Sequence, residues 1–232
     1  MSNHPGLLIA VEGIDGAGKS TQVAMLAEAL GLMGIANVTT KEPTDGPWGQ
    51  RIRRSADHGR MSPEDELDAF LEDRKEHVRD LINPSLQSGN VVIVDRYYPS
   101  TVAYQGARGL DPDALLKQNE AIAPRPDVTL LLEISPEQGV GRVHRRGKAN
   151  AFEGIDDLRA VRARFDALEM PGLVRLDADR PPDTVHKDVM NVVFGENAPG
   201  RRIVLAARAA RDAAIAQGIA DGVQIAGSNA GS

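Results

Sequence analysis

The octet Gly13-Ile14-Asp15-Gly16-Ala17-Gly18-Lys19-Ser20, followed by Thr21, constrains this chain more than any other stretch. It fits G-x-x-x-x-G-K-[ST] and stands between an apolar run, residues 7–11, and a helical pattern. Glycines let successive backbone N–H groups turn inward around a phosphate, and the following helix N-terminus adds partial positive charge. In such a loop Lys19 reaches the terminal phosphates and the Ser20 hydroxyl can ligate Mg²⁺. The octet therefore predicts a bound nucleotide, but by itself it does not say what is done with it.

The remainder alternates strand and helix patterns. Apolar runs at 7–11, 91–94, 129–134 and 173–176, and a second short stretch at 37–41, read as strands. After the octet, Val23, Leu26, Ala27, Leu30 and Met33 form a one-sided helical stripe. A short helix is expected at 49–56. Ser62-Pro63-Glu64-Asp65 is a strong helix start, with an N-cap serine, a first-turn proline and acids near the positive end. Further helices are expected at 113–122, 136–146, 155–168 and 183–193. This alternation predicts an α/β protein of the P-loop NTPase fold, a five-stranded parallel sheet with helices on both faces. Such sheets bind ligands at the carboxyl ends of their strands. The octet, Lys41-Glu42-Pro43, Asp95-Arg96 and Asp177 should therefore converge on one edge.

Length and charge narrow the classes. The chain of 232 residues fits one domain over 1–195, with an alanine-rich extension over 196–232, helical at 201–217 and fraying from Gly218. A net charge of −6 argues against a nucleic-acid binder with a broad basic surface. There is no cysteine, so no disulfide frame or thiolate metal site. No apolar stretch approaches the roughly 20 residues of a membrane span, so a cytoplasmic protein without a membrane partner is expected.

Outside the octet, Arg74 is the most informative residue. It falls on the apolar face formed by Leu67, Phe70, Leu71, Val78, Leu81 and Ile82, where a charge is costly unless something pairs with it. It either contacts a ligand or forms an internal salt bridge, for example to Asp95. His77 reads as a hydrogen-bonded core histidine. Asp95, ending an apolar strand some 75 residues after the octet, is placed to hold Mg²⁺ with Ser20. Arg96 adds a cation beside it. Arg142, Arg145, Arg146 and Lys148 form either a lid over phosphates, about 142–154, or a solvated basic face. The inventory holds a loop lysine, a Ser/Asp metal pair and arginines, without a strongly activated nucleophile. It suits an acceptor that brings its own nucleophile.

Four blocks together resemble thymidylate kinases: Glu12 through Thr21, Lys41-Glu42-Pro43, Phe70-x-x-x-Arg74, and Asp95-Arg96-Tyr97 running on to Ser100 and Ala103-Tyr104-Gln105-Gly106. The resemblance implies transfer of the ATP γ-phosphate to dTMP with Mg²⁺, in a protein whose relatives are commonly homodimers. It implies that residues 13–21 and Arg142 hold ATP, that Lys19, Asp15, Arg96 and the lid Arg146 are catalytic, and that Ser20 and Asp95 hold the metal. It further implies that Glu42, Phe70, Arg74, Arg96, Tyr104 and Gln105 hold dTMP. In this reading Phe70 stacks on thymine, Arg74 donates to a base carbonyl and Tyr104 disfavours a 2′-hydroxyl. Two departures are visible: the lid lacks the usual second Asp-Arg, and Lys41 to Trp48 replaces Glu-Pro-Gly-Gly-Thr with Glu-Pro-Thr-Asp-Gly-Pro-Trp. A kinase with another acceptor, a nucleotide-binding protein without kinase activity and a hydrolytic P-loop ATPase remain as alternatives.

Overall fold

The structure, a computed structural model, describes residues 4–145 and 154–228. In chain order it runs β1 (Leu7–Glu12), α1 (Lys19–Leu32), β2 (Asn37–Lys41), α2 (Pro47–His58) and α3 (Pro63–His77). A π-helical turn, Val78–Ile82, joins α3 to α4 (Asn83–Gln87), and then come β3 (Val91–Asp95), α5 (Tyr98–Ala107) and α6 (Pro112–Glu120). The chain continues through β4 (Val128–Glu133), α7 (Pro136–Arg145), α8 (Ile155–Asp166), β5 (Leu173–Asp177), α9 (Pro182–Phe194) and α10 (Arg201–Ser228).

The five strands form one sheet in the order β2-β3-β1-β4-β5, every neighbouring pair parallel. The register sets Val11 beside Asp95, Lys41 beside Asp95, and Glu133 beside Asp177. All strands therefore end along one edge. β1 lies at the middle, where the connections diverge to the two sides, and the crevice for a ligand opens there.

Successive residues of a strand face opposite ways, and the two apolar cores follow that alternation. Leu7, Ile9, Val11, Val91 and Ile93 pack in one cluster with Leu26 and Leu30 of α1 and Val185 and Val189 of α9. Leu8, Ala10, Val92 and Val94 pack in the other with Val78, Ile82, Leu86, Tyr97 and Tyr98. Burial on both faces explains why the central strands read as continuous apolar runs. The start of α3 is as its sequence predicts, with the Ser62 side chain accepting from the Asp65 amide.

Two elements differ from expectation. α5 gives no helical stripe because Tyr98 through Ala103, Gln105 and Gly106 are buried on nearly every side, which erases amphipathic periodicity. Pro99 stands in its first turn, where a missing N–H is harmless. The terminal helix also does not end near Gly218 but continues through Ser228. Gly218, Gly222 and Gly227 each cost a helix only about 1 kcal/mol relative to alanine, which weakens the helix without breaking it as a proline would.

Leu26 is fully buried between α1 and the sheet. Leu26→Ala should therefore cost about 2–5 kcal/mol of unfolding free energy in a denaturant titration.

Candidate active site

The phosphate loop turns back on itself at three glycines with positive φ: Gly13 at 138°, Gly16 at 83° and Gly18 at 94°. A side chain at Gly13 would meet the Leu132 carbonyl at 2.5 Å, so the loop sits hard against β4. At Gly18, which caps α1, the space is open. Lys19 is buried, and its Nζ donates to the Gly13 and Ile14 carbonyls at 3.0 Å each, with Asp15 Oδ1 3.9 Å away. Burial, seconded by the Arg96 charge, lowers its pKa to about 8, against the opposite pull of Asp15, Asp95 and Glu12. An incoming anion removes that penalty.

The strands bring Asp95 and Arg96 to this loop. Ser20 Oγ donates to Asp95 Oδ2 at 2.5 Å. A hydroxyl and a carboxylate at contact are hard oxygen donors that fit Mg²⁺, which takes few protein ligands and fills its shell with phosphate and water. Among the described residues there is no larger cluster of His, Asp and Glu able to enclose a metal. Arg96 has φ of 65°, the only non-glycine residue with positive φ among the described residues. Such a backbone costs of order 1–3 kcal/mol and persists only where surroundings hold it. Its guanidinium bonds Asp15 Oδ1, the Gly13 carbonyl at 3.4 Å, Ser100 Oγ at 3.3 Å and the Tyr104 hydroxyl at 3.1 Å, and lies 4.9 Å above the Tyr104 ring.

A second polar wall faces this cluster from α3. Arg74 is 1% exposed and is among the largest fully buried side chains of the described residues. Glu42 Oε2 accepts from its Nε at 2.9 Å and its Nη2 at 2.5 Å, Thr101 Oγ1 accepts from Nη2 at 3.1 Å, and Asn119 Oδ1 accepts from Nη1. The Tyr97 ring lies 5.4 Å away. The acid that pairs with Arg74 is thus Glu42, not Asp95, which is engaged by Ser20. These bonds use Nε–H, both hydrogens of one terminal nitrogen and one of the other, so among the described residues a single N–H is left over. Glu42 also meets His77 Nδ1 at 2.9 Å, and His77 Nε2 meets Thr40 Oγ1 at 2.8 Å, which makes His77 the hydrogen-bonded core histidine its sequence suggested. Burial raises the Glu42 carboxyl, but Arg74 and His77 outweigh it and hold the pKa below the usual value. Phe70, one turn before Arg74, is half-buried and belongs to neither apolar core.

The other expected residues separate into three groups. Tyr104 joins Arg96, as above. Gln105 is 1% exposed, with Nε2 donating to Glu66 Oε2 at 2.7 Å and Oε1 lacking a partner among the described residues. Glu66 also takes Arg108 at 2.5 Å and Arg60 at 3.2 Å. Arg142 reaches the Gly16 carbonyl at 3.4 Å, the Ala178 carbonyl at 3.3 Å and Asp179 at 3.3 Å. It lines a cleft of about 220 Å³ beside Gly18, Thr21, Gln22, Arg180 and Pro182. Arg146 and Lys148 lie outside the described residues.

Sequence reasoning missed several members. Thr101 and Asn119 steer Arg74, but each is an ordinary polar residue on a helix. Arg180, in the loop after β5, could have been found from the rule that strand carboxyl ends carry the site. Glu12 carried a signal that went unread: an acid ending an apolar strand. It is fully buried, accepts from the Tyr97 amide at 2.7 Å and from Ser100 Oγ at 2.5 Å, and burial raises its pKa to about 7 despite those bonds and the Arg96 and Lys19 charges.

With this geometry established, known proteins are informative. A family model described as thymidylate kinase matches residues 11–189. A thymidylate kinase from Xanthomonas campestris pv. campestris (strain B100) is 51% identical over 199 residues, covering 85% of this chain and 87% of the relative. One from Xylella fastidiosa (strain M12) is 51% identical over 190 residues, covering 82% and 87%.

Charged Lys19 is a burden on the nucleotide-free fold. The native state releases its proton near pH 8 and the unfolded chain near 10.5, so unfolding binds protons in that window and stability rises with pH there. Lys19→Met should melt higher than the parent at pH 7, and the gap should narrow as pH rises through about 8, read by thermal denaturation without nucleotide.

Proposed function

The chain belongs to the thymidylate kinase family, and on that premise we propose how its own residues carry the transfer of the ATP γ-phosphate to dTMP, giving dTDP. The observation that carries the assignment is Arg96, locked in a left-handed turn and bound to Asp15 inside the phosphate loop. In this reading that one cation serves both phosphates, the one in the loop and the one that accepts.

ATP enters from the α1 side. The 13–20 backbone and the α1 N-terminus cradle its β- and γ-phosphates, and Lys19 leaves the Gly13 and Ile14 carbonyls for the γ-phosphate. Thr21 and Arg142 flank the cleft toward residues 178–182, which is assigned to the nucleoside. Ser20 and Asp95 would hold Mg²⁺, which when bound neutralises charge across the β- and γ-phosphates. The described part of the basic 142–154 segment supplies Arg142, and Arg146 is the cation assigned to the closing lid.

dTMP enters from the α3 side. Phe70 stacks on the thymine ring, the remaining Arg74 N–H donates to a base carbonyl, and Glu42 fixes the Arg74 plane. Gln105 lies behind the base with its free carbonyl oxygen, and Tyr104 covers the deoxyribose where a 2′-hydroxyl would collide. Arg96 binds the dTMP phosphate, with Asp15 holding the guanidinium between donor and acceptor. A dTMP phosphate oxygen attacks the γ-phosphorus, the bond to the β-phosphate oxygen breaks, and its electron pair leaves on ADP. Because the moving group carries spread negative charge, Lys19 and Arg96 act by neutralisation and alignment rather than by covalent chemistry.

The kinase unit is assigned to residues 1–195, and the alanine-rich extension, 196–232, lies beyond the family match. No helix among the described residues is long and apolar enough to cross a membrane. A cytoplasmic location and a homodimeric state belong to the same proposal.

A coupled ADP-release assay with ATP against a panel of nucleosides and nucleoside monophosphates tests the acceptor; preference for another monophosphate would overturn dTMP. Phe70→Ala should weaken dTMP binding by about 1–3 kcal/mol, the range of a base–aromatic stack, with ATP affinity unchanged in calorimetry. Lys19→Met should abolish transfer in the same assay while still folding.

A further inference from the structure

The two amides that flank the Arg96 Cα are both held by consecutive residues of β1. The Arg96 N–H donates to the Val11 carbonyl at 3.0 Å, and the Tyr97 N–H donates to Glu12 Oε1 at 2.7 Å. Pinning both peptide planes sets φ and ψ at the residue between them, and this residue has φ of 65°. The other Glu12 oxygen takes the Ser100 hydroxyl proton at 2.5 Å, so the Ser100 lone pairs are turned to Arg96 Nη1 at 3.3 Å. Glu12 therefore grips Arg96 twice, through the backbone and, by way of Ser100, through the guanidinium. Its 0% exposure keeps it from touching substrate directly. We propose that Glu12 is a positioning residue whose carboxylate holds the strained turn at Arg96 and aims the guanidinium at the acceptor phosphate. This rests on the reading of Arg96 as the ligand of that phosphate.

The role needs a carboxylate rather than any polar group of that size. A carboxylate accepts at both oxygens, whereas an amide in its place presents an N–H₂ to one of two donors. Facing Tyr97 N–H it opposes donor to donor; facing Ser100 it makes the hydroxyl accept, so the O–H proton loses its acceptor, swings away from residue 12 and disturbs the oxygen that receives Arg96 Nη1. Burial holds the Glu12 pKa near 7, so the carboxylate form depends on its bonds to Tyr97 and Ser100 and on the facing charges of Lys19 and Arg96.

The test is a double-mutant cycle on the full chain, with Glu12→Gln and Arg96→Ala made singly and together and kcat and KM measured for dTMP and ATP. Glu12→Gln should lower kcat/KM for dTMP by about tenfold or more, the scale of a lost charged hydrogen bond, with KM for ATP unchanged. In the Arg96→Ala background that loss should vanish, because the guanidinium it serves is gone. An equal loss in both backgrounds, or no loss, with Arg96→Ala itself impaired, would overturn the role of Glu12 and leave that of Arg96 standing. Full dTMP turnover by Arg96→Ala would instead overturn the reading of Arg96. If Glu12→Gln fails to fold, Ser100→Ala takes its place in the cycle, and additivity with Arg96→Ala overturns the proposal.

Discussion

The pairing of β1 with β3 is the constraint from which the site follows. Its register lays Val11 beside Asp95, so the first residue beyond β3 must turn over the end of β1 at the point where the phosphate loop begins. Arg96 makes that turn in a left-handed conformation, and the same pairing sets Asp95 against Ser20. One strand register thus places the metal-type oxygens, the bridging arginine and the loop lysine within reach of one another. Shifting it by one residue would send every side chain of β3 to the opposite face and dissolve the site.

Charge inside the protein is the second theme. Glu42, Arg74 and His77 form a chain of ionic and hydrogen bonds between β2 and α3, closed off by Asn119 and Thr101. Buried ion pairs of this kind add little net stability, because desolvation offsets much of their attraction. What they supply is direction. Arg74 is held on three sides, and the N–H it keeps in reserve has one orientation. Lys19 and Glu12 are shifted the opposite way, toward neutrality, by the same burial. The phosphate loop thus keeps a buried cation hydrogen-bonded to carbonyls rather than to a carboxylate, whereas the Glu42–Arg74 pair is closed, among the described residues, except for one Arg74 N–H.

The octet and the apolar strands were legible because their signals are local. Glycines at fixed spacing, a lysine and a hydroxyl form a site within eight residues, and a strand buried on both faces is apolar throughout. Asp95 and Arg96 could be found because strand ends carry the chemistry in this architecture. Arg74 stood out as a charge on an apolar stripe. The identity of its partner did not, since Asp95 ends one strand and Glu42 follows another on the same edge, and only packing chooses between them. α5 escaped because complete burial removes the one-sided pattern that marks a helix.

The sequence by itself determined the phosphate loop, the parallel α/β layout and the set of polar residues at the carboxyl edge, since each depends on neighbours along the chain or on which face is buried. Tertiary structure decided which of those residues meet. It gave Arg74 to Glu42 and Asn119, Ser20 to Asp95, and Arg96 to Asp15 and Tyr104. It also turned Glu12, in sequence no more than the end of a strand, into the support beneath Arg96. Such pairings join residues far apart in the chain, and their geometry exists only once strand register and helix packing have fixed the backbone on both sides.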